Sequence, residues 1–351
     1  MSLLLLTTHL FAHKMRLMNL LIRAPNWIGD AVMTFPALRS LKLNHPEYQI
    51  WVAARGWVKE LYQDLDYING IVPLPDSFHL KNILNSAHTI KKFNFDIGLL
   101  LTNSFSSALL FFAARIPNRW GYARDGRWLL LTKTPSPSRK KRPPHHVYYY
   151  LDLLEGLGLT TIPPELTFPV PEIAFQKAKH MLETWGVNPA RPLIVFNPGA
   201  SYGTAKQWPA SAFAQLGAML QSFYHAEIII VGANSELDIG RSIASQMQKK
   251  PYVAMGKTSL LDLAGILKAA SLVVSNDSGP MHLANAVHTP VVALFGPTDP
   301  QITGPLQPPS AVIKKEVPCW PCKYRECPLD HRCMNEIIPE EVFTTCQEFL
   351  K

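Results

Sequence analysis

Residues 273–300 read VVSNDSGPMHLANAVHTPVVALFGPTDP. The order is a run of β-branched residues, a tight polar turn, a helix, a second apolar run and a further polar loop. The turn is Asp277-Ser278-Gly279-Pro280. Asp277 or Ser278 is suited to cap the helix, and Pro280 suits its first turn, where the N–H that proline lacks would be unpaired anyway. Gly279 has no Cβ, so a ligand can come close to the backbone. The free N–H groups and the positive end of the helix dipole then face the space above the strand's carboxyl end, a natural seat for a phosphate. His282 falls in the same first turn and points to the same space. The second strand ends in Gly296-Pro297-Thr298-Asp299. Polar loops at neighbouring strand ends mark the ligand crevice of an open α/β sheet.

Outward from this stretch the same alternation repeats. Strands are expected over 20–24, 49–53, 71–73, 96–101, 193–197, 227–231 and 253–254, and helices over 31–43, 58–64, 83–92, 106–115, 147–157, 175–185, 211–223, 236–248, 259–269 and 339–350. Strand–helix alternation of this kind builds doubly wound parallel sheets. The chain has 351 residues, enough for two domains. Residues 132–146, TKTPSPSRKKRPPHH, form an exposed basic loop, and the proline-bearing residues 161–172 read as the interdomain linker. The expected division is an extension over 1–17, an N-terminal domain over 18–165, a C-terminal domain over 173–337 and a closing helix over 338–351. Neither half shows a G-x-G-x-x-G dinucleotide fingerprint after its first strand, which disfavours a nicotinamide oxidoreductase.

Several residues carry chemistry. Asp30 lies where the first strand gives way to a helix, at the cleft edge. It is either the single base that an acceptor hydroxyl needs in an in-line displacement, or a helix cap. Lys206 follows the small-residue loop Gly199-Ala200-Ser201-Tyr202-Gly203-Thr204, whose N–H groups can wrap a phosphate while the lysine adds a point charge. A solvated surface lysine is the plain alternative. Asp277 would repel a phosphate, so it is assigned to sugar hydroxyls or to holding its loop. Glu236 follows another strand end and either accepts ribose hydroxyls or sits in a helix's first turn. Asn103 and Ser104 are acceptor contacts or an ordinary polar strand-end loop.

Four segments resemble those of glycosyltransferase family 9, the ADP-heptose lipopolysaccharide heptosyltransferases. The D-S-G-x-x-H turn with F-G-P-T-D-P resembles that family's nucleotide-sugar site. Residues 20–33, LLIRAPNWIGDAVM, resemble its first strand and acceptor loop. Residues 197–209, NPGASYGTAKQWP, resemble its phosphate loop, and residues 101–109, LTNSFSSAL, a further loop of the N-terminal half. The resemblance implies an α/β GT-B architecture, two Rossmann-like doubly wound domains facing a central cleft. It also implies an inverting, metal-independent transferase without cofactor, using ADP-heptose as donor. Asp30 falls on the position of the family's base. Gly29, Ser201, Thr204, Lys206, Glu236, Thr258, Asp277, Ser278, Gly279 and His282 fall on the donor side, with Thr258 nearest the adenine. The form of residues 201–206 leans toward transfer of the second heptose, onto a lipid A–Kdo–heptose acceptor of the Gram-negative envelope. Rival readings are transfer to the first core position, a protein acceptor, and a non-catalytic ADP-sugar-binding module. The last is disfavoured by the intact Gly29-Asp30.

Composition narrows the partners. Hydrophobic residues make up 47% and charged residues 17%, fitting a well-cored protein, and the net charge of +8 suggests an anionic partner. No nucleic-acid signature accompanies the charge. The longest uncharged run, 97–114, is broken by Thr102, Asn103, Ser104, Ser106 and Ser107, so it reads as strand, loop and helix rather than a membrane span. The first residues lack a basic n-region and a small-residue cleavage site, which points to a cytoplasmic protein, peripheral at the inner membrane if its acceptor is lipid-borne. Arg139, Lys140, Lys141 and Arg142 then contact anionic headgroups or acceptor phosphates, or form a solvated loop. Cys319-x2-Cys322-x4-Cys327-x5-Cys333, with His331 nearby, has ligand-like spacing for a structural metal. Reduced structural thiols are the default for clustered intracellular cysteines, and the cluster is not expected to be catalytic.

Overall fold

The computed structural model describes residues 17–137 and 141–350. The first half carries strands β1 (Met18–Arg23), β2 (Tyr48–Arg55), β3 (Gly70–Leu74), β4 (Ile97–Leu100) and β5 (Asn118–Gly121). They form one sheet in the order β3-β2-β1-β4-β5, with every pair parallel. The second half carries β6 (Leu193–Asn197), β7 (Glu227–Ile230), β8 (Tyr252–Val253), β9 (Leu272–Asn276), β10 (Val291–Phe295) and β11 (Ser310–Lys314). These form a second parallel sheet in the order β11-β10-β9-β6-β7-β8.

Parallel strands joined by helical crossovers are covered on both faces, so both faces must be apolar. Successive side chains point to opposite faces. In β1, Leu20 and Ile22 enter one hydrophobic cluster and Leu21 another. In β6, Leu193 and Val195 face one cluster while Ile194 and Phe196 face another. This is why the strands appear in the sequence as unbroken apolar runs.

One of these clusters runs through both halves. It joins Ile22 and Phe35 of the first half, Leu166 and Phe168 of the connecting segment, and Leu263 and Met281 of the second. Polar contacts cross the same boundary. The Glu60 carboxylate accepts hydrogen bonds from the N–H groups of Leu260 (2.9 Å) and Leu261 (3.3 Å), at the start of the helix Leu260–Ala269. The N–H of His146 donates to the Ile302 carbonyl at 2.8 Å.

The structure corrects some expectations. The helix expected over 31–43 is two helices, Ile28–Met33 and Phe35–Asn44. Pro36 lies in the first turn of the second, where its ring and missing N–H prevent one helix from running through. Strands β5 and β11 were not anticipated. Each is short and lies at a sheet edge, where an apolar run is not required and no clear period-2 signal exists. In the basic loop, Arg142 is not available to an anion. It pairs with Asp152 (3.3 Å) and Glu155 (2.5 Å), and its guanidinium lies over the Tyr148 ring. Lys141 is exposed, whereas Arg139, Lys140 and residues 1–16 of the expected extension lie outside the described residues.

The helix Leu260–Ala269 packs closely on the helix Glu172–Thr184. A Cβ at Gly265 would stand 2.6 Å from the Cβ of Ala178 and 3.0 Å from the Ala174 carbonyl oxygen. In an open helix Gly→Ala stabilises by about 0.5–1 kcal/mol. Here overpacking outweighs that gain, and Gly265→Ala is expected to destabilise the protein by about 1–3 kcal/mol. Urea denaturation of the two proteins checks this, and an increase in stability would refute the packing argument.

Candidate active site

Each sheet reverses its winding between two neighbouring strands, β1 and β4 in the first and β6 and β9 in the second. Ligands of open α/β sheets sit beyond the carboxyl ends of such pairs. A cleft of about 690 Å³ lies there, lined from both halves. The loop after β1 contributes Asn26 to Asp30. The loop after β6 contributes Ser201 and Lys206, the loop after β7 Glu236, the segment after β8 Thr258, and the loop after β9 Asp277 to Pro280.

Two glycines set how closely the halves meet. A Cβ at Gly29 would lie 2.8 Å from the His282 ring, and one at Gly279 would lie 2.7 Å from the Ile28 Cβ. The helices Ile28–Met33 and Gly279–Ala286 therefore begin against each other. The start of the second, eight-residue helix opens into the cleft, and its free N–H groups and dipole favour an anion there.

Lys206 and Asp277 meet at the centre of the second sheet's crevice. The Lys206 Nζ is 2.5 Å from the Asp277 Oδ2, and the Thr298 hydroxyl donates to the same oxygen at 2.6 Å. Both residues are buried. The lysine is neither a solvated surface charge nor a free one. Its ammonium also lies 4.8 Å from the centre of the Tyr202 ring. Asp277 holds Lys206 and does not cap the helix. Ser278 occupies the capping position but makes no side-chain cap bond, because its hydroxyl accepts from the Asn197 amide at 2.6 Å. At the helix start Pro280 has no N–H and the Met281 N–H donates to the Ser278 carbonyl at 3.2 Å, so the Gly279 N–H is the one left for another acceptor. His282 is buried, its Nδ1 has no hydrogen-bond partner, and burial pushes its pKa down to about 4, so the ring is neutral at pH 7.

Asp30 is not a helix cap. It lies inside the first turn of the helix Ile28–Met33, whose capping position is Trp27. Burial raises its pKa above the ordinary carboxylate range, against the opposing charges of His146 and Lys206. The His146 Nε2 is 3.8 Å from the Asp30 Oδ1. The histidine ring stacks on Tyr149 (5.2 Å between centroids, 6° between planes), and the Tyr149 hydroxyl donates to the Asn103 Oδ1 at 2.8 Å. A carboxylate with a raised pKa, facing a cleft, suits proton transfer.

The other expected residues divide. Gly29, Ser201, Glu236, Thr258, Ser278 and His282 line the cleft with Asp30, Lys206 and Asp277. Glu236 also accepts from the Ala233 N–H at 2.9 Å and faces Gly199, where no side chain would fit beside its carboxylate. Thr204 does not line the cleft; it begins the short turn Thr204–Lys206 that carries the lysine. Asn103 and Ser104 also stand apart from it. Ser104 caps the helix Phe105–Ala113, and Asn103 supports the ring stack behind His146. The four cysteines lie outside the cleft, and Cys333 is pushed up to about 11 by burial and by the neighbouring thiols Cys322, Cys327 and Cys319.

Sequence reading missed His146, Trp27 and Trp57. Both tryptophans are cleft-lining and about half exposed. Flat exposed rings offer a surface on which a sugar can lie. The Trp57 indole N–H donates to the Asn26 carbonyl at 2.6 Å, and the Arg23 guanidinium donates to the Asn26 side-chain oxygen at 2.8 Å, fixing the loop that carries Asp30. No spacing rule announces these residues: Trp27 and Trp57 reach the cleft from the ends of two different strands, and His146 stands beside Asp30 from the start of the helix Val147–Gly156.

A model of glycosyltransferase family 9 (heptosyltransferase) matches residues 83–332. This chain belongs to glycosyltransferase family 9. Lipopolysaccharide heptosyltransferase 2 of Salmonella typhimurium is 30% identical over 85% of this chain and 88% of its own length. Lipooligosaccharide heptosyltransferase 2 of Haemophilus ducreyi is 32% identical over the same shares. The structure of Escherichia coli ADP-heptose lipopolysaccharide heptosyltransferase II superposes with a TM-score of 0.82 at 27% identity, covering 95% of this chain and 98% of that one. The two sheets and their shared cleft are the GT-B architecture of this family, and the chain is a glycosyltransferase.

Two sets of variants probe the site. Asp30→Asn is expected to lower kcat by about 10²–10⁴ with little change in donor KM, the loss typical for a removed general base. The acid limb of the wild-type pH–rate profile should lie above the ordinary carboxylate range, because the base must be ionised to act and burial raises its pKa. His146→Gln removes an opposing charge and should move that limb to still higher pH; an unchanged limb would show that His146 does not act on Asp30. Lys206→Met leaves a buried carboxylate unpaired and should destabilise the protein by about 3–5 kcal/mol. Adding Asp277→Asn should restore much of the stability but none of the activity, as thermal melts beside turnover will show.

Proposed function

We propose that this glycosyltransferase moves heptose from ADP-heptose onto heptose I of the lipopolysaccharide inner core, with inversion, as a heptosyltransferase II. One observation carries the chemistry. A single carboxylate of raised pKa, Asp30, opens into the same cleft as a buried lysine and a free helix start on the opposite half. Asp30 takes the proton of the acceptor hydroxyl as its oxygen bonds to the anomeric carbon. The bond from that carbon to the phosphate oxygen breaks in line, and ADP leaves with the electron pair.

Charge grows on the departing diphosphate, and Lys206 with the Gly279 N–H and the dipole of its helix stabilises it most at that moment. Glu236 and Thr258 lie on the nucleoside side, where a carboxylate and a hydroxyl suit ribose and base. Trp27 and Trp57 offer apolar faces to the sugars. The form of residues 201–206 and the likeness to proteins named heptosyltransferase 2 support the second-heptose position. The acceptor is a lipid A–Kdo–heptose, so the enzyme works at the cytoplasmic face of the inner membrane as a peripheral protein. Among the described residues no helix is long and apolar enough to cross a membrane. The net charge of +8 favours an anionic surface.

The test is ADP release from ADP-heptose with two acceptors, one bearing heptose I and one lacking it. Turnover is expected only with the first. Turnover with the second places the enzyme at the first core position. Tight donor binding without turnover on either points to a protein acceptor or a binding module.

A further inference from the structure

We propose that Cys319, Cys322, Cys327 and Cys333 bind one zinc ion as thiolates, and that this ion pins the loop backing Lys206. The four cysteines line one small cavity together with Ala205 and Pro297. All are free thiols. Residues 315–331 contain no helix or strand, and within 318–330 only Trp320, Cys322 and Cys327 are not fully exposed. A loop of this kind has almost no apolar core of its own. Its inward side chains are Trp320, which packs at one end on the neighbouring core, and the thiols Cys322 and Cys327; a shared metal is how small coreless segments acquire a fixed shape.

The loop nevertheless has a defined task. The Arg325 carbonyl accepts from the Ala205 N–H at 2.9 Å, and the Lys323 carbonyl accepts from the Tyr202 hydroxyl at 2.8 Å. Gly203 lets the loop approach, since a Cβ there would lie 2.2 Å from the Arg325 carbonyl oxygen. The loop thus sets the backbone on which Lys206 sits and the ring beside its ammonium. The His331 Nε2 is 2.7 Å from the Ala205 carbonyl oxygen, so this histidine is already engaged and the fourth ligand is Cys333. Cys333 starts from the short helix Arg332–Asn335 and gives the site one anchored thiol. A four-thiolate tetrahedral set selects zinc, or iron as the nearest alternative.

Among the described residues no three such side chains already stand at metal-holding separation. The thiols must therefore draw in around the cavity. Cys319 is exposed, and Cys322 and Cys327 are partly so, all on irregular backbone able to adjust. Cys346 is buried in the helix Pro339–Gln347 away from this cavity and serves as a control.

The consequence for catalysis rests on Lys206 meeting the donor's diphosphate, whereas the metal site does not depend on that reading. The full chain, purified with reductant, is analysed by mass spectrometry for bound metal and by ADP calorimetry. About one equivalent of zinc per chain is expected. Cys322→Ser and Cys327→Ser should lose the metal and Cys346→Ser keep it. Loss of the metal should weaken ADP binding and raise the donor KM by about tenfold, the scale of supporting-residue losses at such sites, with a smaller effect on kcat. Chelation of the wild-type protein should do the same, which covers variants that fail to fold. One equivalent of iron upholds the site and corrects the metal. A metal-free protein with four freely reacting thiols, or one with a disulfide among them, overturns the proposal. Unchanged ADP affinity after complete metal loss overturns the pinning. If ADP-heptose is not the donor, the metal content still reports on the site.

Discussion

A buried lysine and a buried aspartate meet across the seam between β6 and β9, and the second half of the protein is arranged around that contact. An unpaired ammonium or carboxylate at this depth costs several kcal/mol. Each therefore requires the other, and two loops that leave different strands must stay in register. The first of these strands, β6, ends in Asn197, whose amide donates to Ser278 and Ser275. The Thr298 hydroxyl adds a third loop to the same carboxylate. The pair fixes the orientation of a lysine that lines the cleft.

The first half faces this centre through a close approach of backbone. Gly29 and Gly279 admit each other's helices because neither carries a Cβ. The loop bearing Asp30 is held from behind by Arg23 and Trp57 acting on Asn26. The carboxylate itself is tuned by partial burial, which raises its pKa, and by the nearby His146 and Lys206, which limit the rise. His146 owes its place to a stack on Tyr149 that Asn103 supports. A strand-end loop with the look of an acceptor contact thus stands behind His146 and Asp30.

In the proposed transfer the two halves divide the work: the second would neutralise charge on the leaving group, and the first would take a proton from the incoming group. The carboxylate of Asp30 and the helix start at Gly279 stand on separate sheets and line one cleft. The continuous hydrophobic cluster and the Glu60 contact to the helix Leu260–Ala269 hold the halves in this relation.

Much of this was legible in the residues. Apolar runs such as 193–197 and 272–276 announced buried parallel strands, because a strand covered on both faces must be apolar throughout. The turn at 277–280 and the small-residue loop at 199–206 read as cleft-lining strand-end loops, and residues of both do line the cleft; that several of their N–H groups are taken up by other carbonyls, as Ala205 by Arg325, could not be read locally. The edge strands β5 and β11 were not legible, since short edges need no apolar pattern. Arg142 looked free for an anion, and only packing showed it spent on Asp152 and Glu155. By itself the sequence determined the two-sheet α/β class, the position of Asp30 at a strand end and the polar turns at 199–206 and 277–280, all consequences of local backbone chemistry. Tertiary structure alone decided that Lys206 pairs with Asp277, that Ser278 makes no side-chain cap, that two tryptophans line the cleft and that His146 stands beside Asp30. These depend on side chains far apart in the chain meeting at strand ends, and no local pattern encodes such a distance.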